Sequence, residues 1–268
     1  MARSSKKTAA NEKPAVGVLE MAAITLGIIG KTPILPHRFA DKARRQLLLP
    51  GKRVNRAGLE SMIKHDVPHE YRQSLYKNRD TTTPAMFHLP GGMIVKAMAS
   101  AALDMSGATK AKTLRLISVS PQINLFGLPF LHMAMVRQDG PGKVPDVRTR
   151  ACFPDWACVV TIEFPAHAFS GREIFNLLAA AGHVAGFGDW RQERGGQMGK
   201  FEVCDAKDPR IVALMKSQGR AAQQQAYDSP VAFDDDTQEL LDWYHDEIVA
   251  RQQGDQLIIE EDELEAAE

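Results

Sequence analysis

The sequence predicts an α+β fold. Three observations predict it. Apolar runs of strand length fall at residues 22–30, 113–119, 122–136 and 156–164. Helical patterns lie between and after them, at residues 90–105 and 170–181. Gly- and Pro-rich stretches break the runs apart. With 268 residues, 44% of them hydrophobic, the chain is long enough to bury one sizeable core.

Residues 1–14 are polar and basic without hydrophobic period and read as a disordered arm. Residues 22–30 are apolar apart from Thr25 and read as a buried strand, after which Pro33 and Pro36 turn the chain away. Residues 38–49 look helical. Residues 50–84 are polar and basic, with Lys52, Arg53, Arg56, Lys64, Arg72, Lys77 and Arg79, and read as a long insertion lying over the fold. Pro90 suits the start of a helix carrying Met93, Ile94, Ala97, Met98 and Ala101 on one face. Residues 113–119 alternate as a strand. The run 122–136 is a strand signal broken at Gly127 and Pro129, and residues 137–150 read as a loop. Ser170 and Glu173 form a capping-box pattern for a helix that Gly182 is placed to end. A strand is expected at 199–204, a helix capped by Asp208 with Pro209, and a last helix from Asp236. The order strand, helix, two strands, strand, helix, strand matches a ferredoxin-like split βαβ core. That core spans residues 15–205, followed by a helical extension at 206–253 and a disordered acidic tail at 254–268.

No run of 18 apolar residues occurs, so no membrane helix is expected. Arg3, Lys6, Lys7 and Lys13 ahead of an apolar stretch resemble a secretory leader, but Glu20 interrupts its edge and no small-residue cleavage site precedes Lys31. Three cysteines without metal-site spacing suit reduced thiols in a cytoplasm. The chain is neutral overall, yet fourteen acidic residues and one basic residue (Arg251) lie between Asp234 and Glu268. That segment is at −13, which leaves the first 233 residues at +13. A basic body suits a polyanion, and the acidic segment either competes with it, recruits protein partners or keeps the chain dispersed.

Three segments are candidates for function. The first follows the helix at 170–181 and holds Gly186, Gly188, Gly195, Gly196 and Gly199 around Trp190, Arg191, Arg194 and Lys200. Glycine amides left bare can hold phosphate oxygens, and an exposed Trp190 offers a stacking face for a base. The alternative is a hairpin whose glycines only serve turns; in either case Phe187 and Phe201 are expected to face inward. The second is Arg148 with Arg150, placed by alternation on one face, needing either a phosphate or an acidic neighbour such as Asp146, Asp155 or Glu163. The third is His37 with Arg38 in the Pro-rich turn, where His37 is a weak candidate for a general base. His65 and His69 have the spacing of metal ligands on a helix, but Pro68 lies between them and no third ligand is near, so neither metal nor cofactor is expected.

The opening strand leading to Thr32, Pro33, Ile34 and Leu35, the later apolar strands, and the late glycine-rich stretch through Gly188, Gly195, Gly196 and Gly199 resemble the RAMP proteins of CRISPR systems. Those are RNA-binding, ferredoxin-like proteins with a glycine-rich loop near the C-terminal end. The stretch from Phe187 to Phe201 is also similar to uncharacterised proteins of bacteriophages and prophages, while the acidic tail is shared with single-strand DNA-binding proteins. The resemblance spans residues 22–204. It implies a non-catalytic protein for single-stranded RNA or DNA in phage or mobile-element biology, acting in the host cytoplasm. Two alternatives remain: an RNA endonuclease using a His base, and a phage assembly protein that docks an acidic partner. An oligomer is compatible with all three.

Overall fold

Strand β1 (Met21–Gly30) is an interior strand of the larger of two sheets. The computed structural model describes residues 18–36, 38, 65–137 and 145–265, with Arg137 and residues 251–265 as backbone only. β1 pairs antiparallel with β7 (Ala157–Pro165) on one side, Ile24 opposite Ile162, and with β8 (Phe201–Asp205) on the other, Ile28 opposite Val203. β7 pairs with β4 (Gln122–Phe126) and with the short β3 (Ser118–Val119), and β4 with β2 (Phe87–Pro90), all antiparallel. The strand order is β2-β4-β7-β1-β8.

Because every pairing is antiparallel, β1 runs parallel to β4 across β7, and β7 runs parallel to β8 across β1. Each parallel pair is spanned by a helix, as such connections require. Helix α2 (Gly91–Ala101) lies on the path from β1 to β4, and α4 (Gly171–Val184) on the path from β7 to β8. Ile94 and Met98 of α2, Ile174 and Leu178 of α4, and Ile28, Val160 and Ile162 of the sheet share one buried cluster. The capping box that opens α4 is complete: Ser170 accepts from the Glu173 amide at 3.3 Å, and Glu173 accepts from the Ser170 amide at 2.6 Å.

Strands β5 (Phe130–Arg137) and β6 (Pro145–Cys152) make a second, two-stranded sheet in which His132 faces Arg150. The chain after helices α5 (Pro209–Ser217) and α6 (Arg220–Asp228) returns to this hairpin. There the Leu131 amide donates to the Val231 carbonyl and the Phe233 amide to the Leu131 carbonyl, both at 2.8 Å. The last helix, α7 (Asp235–Glu265), leaves from this point.

Several expectations are corrected. Residues 110–116 form helix α3 (Lys110–Leu116), not a strand, because Thr109 caps it by accepting from the Lys112 amide at 3.2 Å; only Ser118 and Val119 extend. The expected loop at 137–150 is partly strand β6, since β5 supplies a partner that makes its alternation useful. Gly182 does not end α4. It lies within the helix, where a Cβ would stand 2.3 Å from the Phe201 carbonyl oxygen, so its role is close approach to β8. Residues 65–84 do not lie over the fold: helix α1 (Val67–Gln73) and the turn after it bury Tyr71 and Leu75 in the core. The acidic tail is helical through Glu265 rather than disordered from 254. The N-terminal arm, the expected helix at 38–49 apart from Arg38, and insertion residues 50–64 lie outside the described residues. Among the described residues no helix is long and apolar enough to cross a membrane.

Candidate functional site

The three candidate segments converge. The turn after β1 runs beside the glycine loop: the Asp189 amide donates to the Leu35 carbonyl at 2.9 Å and the Gly199 amide to the Pro33 carbonyl at 2.8 Å. The same turn pairs with the end of β6, since Ile34 and Phe153 exchange both backbone hydrogen bonds at 3.0 Å. The pairing brings the β6 arginines next to the loop.

The root of the loop is core. Phe187 and Phe201 are buried as expected, stacked at 4.3 Å between ring centres, with Trp156 against both. The crown is different. Trp190 is 38% exposed and holds a left-handed backbone (φ 49°) unusual for a side chain of its size. Its carbonyl accepts from the Met198 amide at 3.0 Å, which fixes that conformation. Beneath the indole sit the Arg150 guanidinium, 5.4 Å from the ring centre, and the edge of His132 at 6.2 Å.

Arg150 is 3% exposed and ion-paired with Asp189, while Arg148, 48% exposed, lies 3.8 Å from the same carboxylate. The acidic neighbour of both arginines is therefore Asp189, the residue beside Trp190, and not Asp146, Asp155 or Glu163. Burial presses the Arg150 pKa down, and Asp189 opposes it. Arg150 cannot reach a bound phosphate from beneath the indole; its charge supports Trp190. Its Nε and Nη2 have no hydrogen-bond partner among the described residues.

Four of the five glycine amides are not bare. Those of Gly186, Phe187, Asp189, Arg194, Gly195, Gly196, Met198 and Gly199 all donate to protein carbonyls. The close packing explains most of the glycines: a Cβ would stand 2.4 Å from the Leu35 carbonyl oxygen at Gly188, 1.7 Å from that of Trp190 at Gly196, and 1.8 Å from that of Phe187 at Gly199. Gly195 alone of these faces open space and serves the turn with φ 78°. Most of the amides that a phosphate cradle would use are thus already paired with carbonyls of the loop and its neighbours.

The remaining candidates are dispersed around this crown. Arg191 folds back, its Nε donating to Glu193 at 2.9 Å and Nη1 to the Gly188 carbonyl at 3.1 Å. Arg194 is exposed. Lys200 donates to Gln197 at 2.8 Å, and Arg38 to the Gln73 carbonyl at 3.3 Å. His37 lies outside the described residues. His65 is tied to Glu70 at 2.9 Å and Asp146 at 3.0 Å, ahead of α1 rather than on it. Among the described residues no group of His, Cys, Asp and Glu could hold a metal ion. Burial pushes the Cys152 and Cys158 thiols up to about 12 and Cys204 up to about 11, so none is a nucleophilic thiolate at neutral pH.

On the other side of the loop lies a groove of about 610 Å³. Its walls are α2, the start of α3, and the loop itself through Gly186, Gly188, Asp189, Arg191 and Glu193. Sequence reasoning missed its lysines, Lys96 and Lys110. Lys96 sits one residue off the apolar face of α2, and a helical wheel could have marked it, but nothing in the sequence places α2 opposite the glycine loop. In comparison with known proteins, the chain matches no family model and no curated sequence.

Proposed function

We propose that this chain binds single-stranded nucleic acid, RNA or DNA, without catalysing a reaction. Trp190 is the stacking platform and Arg148 the nearest exposed phosphate contact. One observation carries the reading. A large aromatic side chain is held part-exposed on a strained backbone, with a buried cation against its ring. Left-handed backbone at a non-glycine residue costs about 1–3 kcal/mol and persists where the surroundings over-determine it, which is typical of ligand clamps. A base on the outer face would complete a layered stack of base, indole and guanidinium, with Arg148 and Arg194 beside it for the backbone.

The strand order supports a split βαβ core of the ferredoxin-like kind, since β1 and β4, and β7 and β8, are parallel pairs that skip one strand and each is spanned by a helix. With the glycine loop leading into the last strand of that core, this organisation fits the resemblance to RAMP proteins and to phage proteins. The acidic helix α7 fits a protein whose basic body must release polyanions.

Anisotropy titrations with labelled single-stranded RNA and DNA test the reading. Replacing Trp190 by Ala should weaken binding by about 1–3 kcal/mol while the melting temperature hardly moves. No binding to either polymer by the wild-type chain at low salt would remove the proposal.

A further inference from the structure

The groove between α2 and the glycine loop has no part in the stack at Trp190, yet it shares a wall with it. Asp189 and Arg191 line the groove, and Trp190, between them in sequence, does not. The loop is therefore a ridge, with the indole on one slope and the groove on the other. We propose that the groove holds the stretch of single strand adjoining the base at Trp190, with Lys96 and Lys110 as its phosphate contacts. This rests on the reading of Trp190 as a nucleic-acid platform.

The lining has the chemistry of an unpaired strand. Tyr76, Met93, Ala97 and Leu114 supply an aromatic and apolar floor against which bases can lie, and Gly92 in the lining has open space where a Cβ would stand. A duplex would present its backbone to the rim and leave that floor unused. The two carboxylates in the wall already have partners. Asp189 is bound to Arg150 and faces Arg148, and Glu193 accepts from Ser100 at 2.8 Å and from Arg191 at 2.9 Å. The Glu193 bridge also ties the loop to α2 and holds the groove at its present width. Lys96 and Lys110 are exposed and form no ion pair among the described residues, so the lining keeps an excess of positive charge. An acidic peptide would answer that charge but would leave the aromatic and apolar floor without a matching partner, which favours nucleic acid.

The test uses the full chain, its Lys96→Gln/Lys110→Gln double variant and its Trp190→Ala variant, with labelled oligo-dT and oligo-U of increasing length. Binding is followed against salt. Removing one lysine–phosphate pairing should lower the log–log salt slope by about 0.7, so the double variant should fall by about 1.4 with long oligonucleotides. With oligonucleotides too short to cross the ridge, its slope should hardly change. Photocross-links from 4-thio-substituted oligonucleotides should fall on peptides containing Tyr76 or Met93. An unchanged slope in the double variant, with Trp190→Ala still weakened, would overturn the groove proposal and leave the platform standing. A wild-type chain that binds no oligonucleotide would overturn both. Binding of polyglutamate that depends on Lys96 and Lys110, with no oligonucleotide bound, would assign the groove to an acidic protein instead. Melting curves of each variant confirm that the weakened binding is not unfolding.

Discussion

Phe187 and Trp190 stand three residues apart on one loop and have opposite surroundings. Phe187 is sealed between Phe201 and Trp156, and the glycine opposite it, Gly199, is there because the two backbones nearly touch. Trp190 lies on polar, charged groups; Gly196 packs against its carbonyl, while Gly195 in the same turn has empty space beside it. The root of the loop is thus an extension of the hydrophobic core, and the crown is a surface that the core holds in place. Glycine content alone does not distinguish the two, because close packing at Gly188, Gly196 and Gly199 and turning at Gly195 call for the same residue.

The strongest way to break this comparison is to mutate both halves alike. Phe187→Ala should cost about 3–5 kcal/mol of stability, because it empties a buried aromatic site. Gly199→Ala should cost about 3 kcal/mol or more, since its Cβ would overlap a carbonyl on a left-handed backbone. Gly195→Ala, with only the left-handed penalty, should cost about 1–2 kcal/mol. Urea melts of the three variants decide; equal losses at Gly195 and Gly199 would erase the distinction between root and crown.

Asp189 joins the two halves, and its removal should have the next largest effect. Asp189→Asn leaves the Arg150 charge buried without a counter-ion, for a loss of about 3 kcal/mol. Trp190 fluorescence should change in the folded variant as the guanidinium beneath the indole shifts. A variant that melts like the wild type would mean that Arg150 does not depend on this pair.

A smaller effect follows from His132, the other support of Trp190. Burial holds its pKa below the ordinary 6.5, with Asp234 acting the other way. As the pH falls through 6.5 the unfolded chain takes up a proton that the folded chain refuses. The stability contribution of the neutral ring is therefore complete above that pH and is lost below it. His88, shifted in the same direction by burial, adds to the loss. Between about pH 7.5 and about pH 5.5 the wild type should lose more stability than His132→Gln, measured by urea midpoints. Parallel losses would show that His132 titrates normally.

The smallest expected effect belongs to the acidic end. A cut at residue 234 would be a poor test of electrostatic competition, because Asp234 lies 3.9 Å from His132 and Thr237 accepts from the Met133 amide at 3.3 Å. Removing residues 251–268 instead takes away seven acidic residues and Arg251 and leaves the hairpin contacts intact. Nucleic-acid binding should then tighten a few-fold at low salt, and the gain should fade at physiological salt, where the Debye length is about 8 Å. An unchanged affinity at low salt would separate α7 from the crown altogether.

Much of this protein is written in local signals. The apolar run of β1, the capping box of α4, the Asp208 cap of α5 and the inward Phe187 and Phe201 follow from periodicity and from side chains that reach their own backbone neighbours. The division into a basic body and an acidic end follows from counting. What covers each face was decided only in three dimensions. Alternation put Arg148 and Arg150 on one side of β6, but Trp190 and Asp189, some forty residues away, made one of them buried and left the other exposed. Residues 113–119 alternate like a strand, yet residues 113–116 belong to the helix that Thr109 caps, and only Ser118 and Val119 extend. The loop amides are spent on Pro33 and Leu35, and Lys96 lies opposite Gly188, because the sheet order brings the ends of β1, β6 and α4 together. Local pattern fixes which way a side chain points, and long-range packing fixes what it meets there.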